Sequence, residues 1–309
     1  MHDVLIKGGT LIDGTGDARY TADVAIKDGR IVDVGQLTGA ARRTINADGL
    51  LVTPGWVDIH THYDGQATWD PYMTPSSWHG VTTAIMGNCG VGFAPSRTHQ
   101  RQWMMDLMEG VEDIPGVVLS EGVQWEWESF PQYLEALDRR PRIMDVGAQV
   151  PHCALRVYVM GERGAAREPA TPADIETMSQ LVHEAVQAGA LGFSSSRTVV
   201  HRTKLGQAVP TLEAAGQELI SIARAMGRTG KGVNQLISDF DDLDGEFELI
   251  REMARQSARP LSFTLLQHDF LPQRWREVLR RTHEAHEDGL TLRAQVACRP
   301  VGMVHGLEC

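Results

Sequence analysis

Hydrophobic positions between Val4 and Leu51 recur in short alternating segments separated by Gly and Asp-Gly pairs: Val4-Leu5-Ile6, Thr10-Leu11-Ile12, Ala22 to Lys27 and Arg30 to Val34. A period of two bounded by turn residues predicts strands, and Asp28-Gly29 predicts a type I′ hairpin turn. Residues 1–53 are therefore expected to form a small all-β module. After Pro54 the pattern changes, and apolar strands begin to alternate with amphipathic helical stretches. The clearest helix has Thr171 as N-cap and Pro172 at its first position. It carries Ile175, Met178, Leu181, Val182, Ala185 and Val186 on one face and stops at Gly189. Similar periodicity predicts helices over Glu213–Met226, Glu246–Gln256 and Gln273–Asp288.

Seven strand candidates lie between and before these helices: Trp56–His62, Val81–Asn88, Met144–Val150, Ala190–Ser195, Val233–Ser238, Leu261–Gln267 and Leu290–Ala297. Strands alternating with crossover helices predict an α/β fold, a TIM-type (β/α) barrel over residues 54–309. Such a barrel closes with eight strands, so the chain is expected to stop short of its last one. Arg97 to Pro131, rich in Met, Trp and Glu, is the one long insertion and is expected to cover the mouth of the barrel.

The 309 residues include 40 acidic and 29 basic side chains, a formal charge of −11, and 42% are hydrophobic. That acidity offers no footprint for nucleic acid or anionic lipid. No apolar run is long enough to span a membrane, and Met1-His2-Asp3-Val4 does not open a secretory signal, so a cytoplasmic protein is expected. Cys89, Cys153, Cys298 and Cys309 are too widely spaced to suggest a disulfide framework.

Candidate chemistry begins at Pro54-Gly55-Trp56-Val57-Asp58-Ile59-His60-Thr61-His62. Residues two apart on a strand share a face, so His60 and His62 are expected to project together at the strand's C-terminal end, where two neutral imidazoles can share a Zn²⁺ ion. Asp58, one step deeper, is expected to orient a ligand histidine. The next apolar strand ends in Asn88-Cys89-Gly90, which puts a thiol on the same rim as a third donor.

Together these motifs resemble the amidohydrolase superfamily, and in particular its N-acyl-D-amino-acid deacylase (D-aminoacylase) branch. The resemblance rests on the Gly-Gly-Thr-Leu-Ile-Asp-Gly-Thr-Gly opening from Gly8, the PGWVDIHTH segment, the block from Gly80 to Pro95, Gln149 to Arg156, and Gly189 to Ser196. It is strong over residues 4–200 and weak beyond. It implies a β-sandwich fused to a metal-dependent barrel that hydrolyses linear amides of D-amino acids with one or two zinc ions. It implies metal ligands at His60, His62 and Cys89, with His268 as the sixth-strand histidine. The fifth strand, Val233 to Asp239, holds no histidine where the family places one, and the family's catalytic aspartate would lie past Cys309. His152, Arg156, Ser195 and Arg197 are the candidates for substrate contact, the guanidinium groups as partners for a carboxylate. The expected partner is a small N-acyl amino acid, with homo-oligomerisation open. His283 and His286 are read as a solvated helix face, and Trp125 and Trp127 as packing. Two other readings stay open: a cyclic-amide hydrolase of the hydantoinase or dihydroorotase kind, and a truncated scaffold without turnover.

Overall fold

The computed structural model describes residues 1–267 and 269–297, which divide into two compact units at Trp56/Val57. In the first unit, β1 (His2–Leu11), β2 (Tyr20–Lys27), β3 (Arg30–Gly35), β4 (Ala41–Asn46) and β5 (Leu51–Val52) form one five-stranded sheet. Its order is β3-β2-β1-β4, with β5 also on β1. The first two pairings are antiparallel, while β4 and β5 run parallel to β1. Asp28 and Gly29 take φ of 51° and 71°, the left-handed pair that a type I′ turn needs, and they join β2 to β3. Leu11, Ala22 and Val24 bury one face, backed by Ile6, Ile26 and Val52.

The division falls within β6 (Trp56–Asp58), and β7 (Val81–Met86) follows in the second unit. Helices α1 (Arg101–Glu112), α2 (Gly116–Gly122) and α3 (Phe130–Asp138) follow, so most of the insertion is helical. Next come β8 (Asp145–Ala148), β9 (Val150–Pro151), α4 (His152–Met160) and α5 (Glu162–Ala165). The remainder alternates: α6 (Pro172–Gln187), β10 (Gly192–Arg197), α7 (Gly216–Gly227), β11 (Val233–Ser238), α8 (Leu243–Ser257), β12 (Leu261–Thr264), α9 (Arg274–Glu287) and β13 (Leu292–Gln295).

The strands form two sheets, β6-β7-β8 and β9-β10-β11-β12-β13. Every pair from β9 to β13 is parallel, as is β7 with β8. Only Gln149 separates β8 from β9. Its N–H donates to Met86 O at 2.9 Å and the Leu191 N–H donates to Ala148 O at 2.8 Å, so the two sheets continue one another. Seven strand positions thus lie side by side in chain order among the described residues, an α/β array with its helices in the connections.

Sequence signals explain the helix limits. Thr171 Oγ1 accepts from Asp174 N at 3.2 Å while Asp174 accepts from Thr171 N at 2.8 Å, a capping box just ahead of Pro172. Met178, Val182, Ala185 and Val186 are its buried face. Helix α8 starts three residues before the expected Glu246, at Leu243, because Asp242 caps it through Gly245 N at 3.1 Å. The first strand is shorter than expected. It ends at Asp58, and Thr61 instead bonds Ile85 O through its N–H at 2.9 Å and its hydroxyl at 2.8 Å.

Candidate metal centre

His60 and His62 lie just past β6 and Cys89 just past β7, all at C-terminal strand ends. Asn88 ties the two segments together. Its Nδ2 donates to Thr61 O at 3.2 Å and to Ile85 O at 2.9 Å, and its Oδ1 accepts from Gln149 Nε2 at 2.8 Å. Cys89 has φ 55°, and Gly90 follows at φ 71°, where a Cβ would press within about 3 Å of the Ser195 and Ser196 backbone. Only glycine allows that approach. The Cys89 N–H donates to Gln235 Oε1 at 2.7 Å, which fixes the turn from the fifth strand.

One ligand atom from each of His60, His62 and Cys89 falls within 4.8 Å of the others. His60 Nε2 is 3.0 Å from Cys89 Sγ, while its Nδ1 is 2.8 Å from Gln295 Oε1 on β13. Gln295 Nε2 donates to Ser262 Oγ at 3.1 Å, so its oxygen faces the imidazole. That contact makes Nδ1 the protonated nitrogen and leaves the Nε2 lone pair towards the thiol. His62 Nε2 lies 3.3 Å from Glu112 Oε1, and its Nδ1 is buried with no hydrogen-bond partner among the described residues. Asp58 does not orient a ring: its Oδ1 accepts from the His60 backbone N at 3.2 Å, because the chain turns at that point.

Burial lowers the pKa of His60 and drives that of His62 well down, helped for His62 by His60 and His201. Both imidazoles are therefore neutral and hold lone pairs. Burial pushes the Cys89 thiol well up, so its proton leaves only to a group that replaces it, as a metal does. Two carboxyls, the buried Asp64 and the half-buried Glu112, complete the surroundings. Burial raises Asp64 to about 7 and Glu112 to about 8. Two imidazole nitrogens and a thiol, one nitrogen orphaned and acidic groups close by, fit a Zn²⁺ ion by donor chemistry and charge.

The other candidates are placed differently. His152 opens α4 and is fully buried, its Nδ1 2.9 Å from Ser195 Oγ and its Nε2 2.8 Å from Glu218 Oε1. Arg156, 1% exposed, grips both Glu218 oxygens at 2.6 Å and donates to Glu168 O at 2.6 Å. His152, Arg156, Ser195 and Glu218 thus form one network inside the protein. Arg197 is clamped on Glu246, with Nη2 at 2.6 Å and Nε at 2.8 and 2.9 Å from its oxygens. The expected carboxylate partners of both guanidinium groups are met within the chain. His268 lies outside the described residues. Trp125 and Trp127 pack with Phe93 and Tyr133, and Trp127 Nε1 donates to Phe93 O at 2.8 Å.

Besides Gln295 and Asp64, three residues next to the trio escaped the sequence reading. Glu112 carries no local signal, as it ends an insertion helix. Gln235 does carry one, a polar residue in the middle of a buried strand, with its Nε2 left without a partner among the described residues. His201 stands after β10, bonded to Ser196 Oγ through Nδ1 at 2.9 Å, and burial lowers its pKa to about 4. No helix of the described residues is long and apolar enough to cross a membrane.

A model of the amidohydrolase family matches residues 43–305. The D-aminoacylase of Alcaligenes xylosoxydans xylosoxydans is 34% identical over 229 residues, which are 74% of this chain and 43% of that protein. A solved D-aminoacylase, studied for its binuclear metal centre, superposes with a TM-score of 0.77 at 29% identity, over 96% of this chain and 58% of its own. The N-acyl-D-glutamate deacylase of Bordetella bronchiseptica, solved with zinc and a phosphonate mimic of the tetrahedral intermediate, gives 0.78 at 26% identity, over 97% and 59%. The chain therefore spans well under two thirds of the length of these relatives.

Proposed function

The chain belongs to the amidohydrolase family, and from that premise we propose that it serves the zinc-dependent hydrolysis of the N-acyl bond of N-acyl-D-amino acids. The observation that carries this reading is the convergence of His60, His62 and Cys89 at the ends of neighbouring strands, with ligand atoms within 4.8 Å. A zinc ion held by these three side chains supplies a Lewis acid and a water of lowered pKa. The chain's own residues prepare the site. Gln295 holds His60 with Nε2 inward, Glu112 stands behind His62, and Gln235 and Asn88 fix the turn that presents Cys89. Asp64 and Glu112, raised by burial to about 7 and about 8, are carboxyls that can take up or release a proton near neutral pH beside the trio. The His152, Arg156 and Ser195 network is assigned the positioning of the rim between the third and fourth strands, since the Ser195 backbone packs on Gly90 beside Cys89. Arg197 is given the same kind of role through Glu246.

On the same premise, the seven strand positions are inferred to belong to a TIM-type barrel over residues 54–309, and the sheet of residues 1–53 to one layer of a β-sandwich. His268 is retained as a candidate fourth ligand from the sixth strand.

The test is metal analysis of protein purified without chelator, with hydrolysis of N-acetyl-D-amino acids assayed on the same sample. Stoichiometric zinc together with turnover of the D and not the L substrates is expected. Protein that neither retains zinc nor hydrolyses an N-acyl amide after zinc loading would overturn the reading.

A further inference from the structure

The fifth strand carries an amide group that the fold leaves half used, and the role assigned to it rests on the deacylase reading above. Side chains alternate along β11. Asn234 faces the helices and donates through Nδ2 to Ser257 Oγ on α8 at 3.2 Å, so Gln235 faces the other side of the sheet. Its register partners there are Ser194 on β10 and Ser262 on β12. Each of the three reaches a segment that carries the trio. Ser194 Oγ accepts from the Gly90 N–H at 3.0 Å, and Gln235 Oε1 accepts from the Cys89 N–H at 2.7 Å. Ser262 Oγ accepts at 3.1 Å from Nε2 of Gln295, whose oxygen meets His60.

Gln235 is fully buried. A backbone N–H can only donate, so the Cys89 contact fixes which end of the side-chain amide is oxygen and which is NH2. The two ends of a carboxamide are about 2.3 Å apart, which keeps Nε2 next to the Cys89 turn. Yet Nε2 has no partner among the described residues. Ser194, by contrast, also donates its hydroxyl to Gly87 O. A buried donor pair without an acceptor costs the folded chain stability until a ligand relieves it. That ligand must bring a lone pair, because an N–H cannot bind a cation. The nitrogens and thiol of the trio suit the cation, and Gln235 suits an oxygen beside it.

We propose that Gln235 is a catalytic residue of this centre, its Nε2 donating a hydrogen bond to the acyl oxygen of the scissile amide. As water adds to the acyl carbon, the carbonyl π pair moves onto that oxygen, and the bond from Nε2 strengthens with the growing charge. The pair then returns, the C–N bond breaks, and the leaving nitrogen takes the proton that the water gives up. A donor held in place beforehand in a buried site acts on the charge as it forms. One amide thus serves two tasks, with Oε1 holding the Cys89 turn and Nε2 holding the oxygen.

The test uses zinc-loaded wild type, Gln235→Glu and Gln235→Met with the N-acetyl derivatives of D-leucine, D-aspartate and D-glutamate and with their methylphosphonate analogues, which carry the charged oxygens of the tetrahedral stage. Gln235→Glu keeps an acceptor for the Cys89 N–H and removes the NH2, whereas the neutral Gln235→Met removes both. Zinc content and Tm report the turn, while kcat and phosphonate affinity report the donor. Loss of one such donor costs about 100- to 1000-fold in kcat. Gln235→Glu should show that loss in kcat and in phosphonate affinity at wild-type zinc content and with little change in KM, and Gln235→Met should lose at least as much. A further readout uses wild type alone, labelled with 15N in its glutamine side chains. The Gln235 amide protons, assigned through their proximity to the Cys89 N–H, should move downfield when the phosphonate binds. Unchanged kcat and phosphonate affinity in the zinc-loaded variants, or amide protons that stay in place on phosphonate binding, overturn the donor and leave the deacylase reading standing. A loss of activity that follows zinc content in both variants assigns Gln235 to the Cys89 turn alone and overturns the donor. Gln235-dependent phosphonate binding without turnover in wild type overturns the deacylase reading and leaves the donor. Wild type that neither binds the phosphonates nor turns over the amides overturns both.

Discussion

His62 Nε2 lies 3.3 Å from Glu112 Oε1, with the two side chains only 16% and 20% exposed. The carboxyl occupies one side of the imidazole and leaves Nδ1, buried and without a partner among the described residues, free to bind an ion. A metal-ligating histidine is commonly held in this way by a carboxylate on its other nitrogen, and loss of such a partner typically costs 10- to 100-fold in metal affinity. Glu112→Ala should therefore weaken zinc binding by about that factor while leaving the fold intact. Competition against a chromophoric chelator measures it, and equal affinity in the two proteins would refute the role of Glu112.

Removing a donor itself should do more. His60→Ala and Cys89→Ala each leave two of the three ligand atoms, too few to hold the ion through purification. Elemental analysis should find both variants essentially metal-free, with Cys89→Ala also losing any zinc-dependent gain in Tm. Zinc content equal to wild type in both would place the metal elsewhere.

The trio was legible because its members sit in two short motifs, HxH and Asn-Cys-Gly, each of which follows a readable apolar strand. The surroundings were not, since they arrive from far along the chain. Gln235 meets Cys89 across 146 residues and Gln295 meets His60 across 235. The arginines show the same limit. Arg156 and Arg197 looked free to bind a substrate carboxylate because their partners, Glu218 and Glu246, are 62 and 49 residues away and sit on helices whose polar positions resemble any solvated face. Helix limits and the Asp28-Gly29 turn depend on neighbours within four residues, and those were readable.

Glu218 carries the buried network, as it accepts from Arg156 on both oxygens and from His152 on one. Its Arg and His partners are almost fully buried, so deleting the negative charge leaves a guanidinium without its counter-ion. Breaking a buried pair from one side costs about 3–5 kcal/mol. Glu218→Ala should lower the urea midpoint by a corresponding amount, and the Arg156→Met/Glu218→Ala double variant should recover part of it. A loss no larger than about 1 kcal/mol, the range of exposed ion pairs, would show that the network contributes little.

His201 supplies a pH signature beside the trio without being one of its proposed ligands. Burial lowers its pKa to about 4 from an ordinary value near 6.5, so the unfolded chain binds its proton first as the medium is acidified. Stability from this group is thus fully present above pH ~6.5 and falls as pH drops towards ~4, by up to about 3 kcal/mol over that window. His60, His62 and His152 are shifted the same way by burial, whereas the raised Asp64 and Glu112 carboxyls contribute the opposite slope, stabilising as pH falls from ~8 towards ~4. The share of His201 is isolated by difference. His201→Gln keeps a polar partner for Ser196 and does not titrate, so its urea-derived stability should vary less between pH 6.5 and 4 than that of the wild type. Parallel profiles for the two proteins would show that His201 is not held neutral by its surroundings.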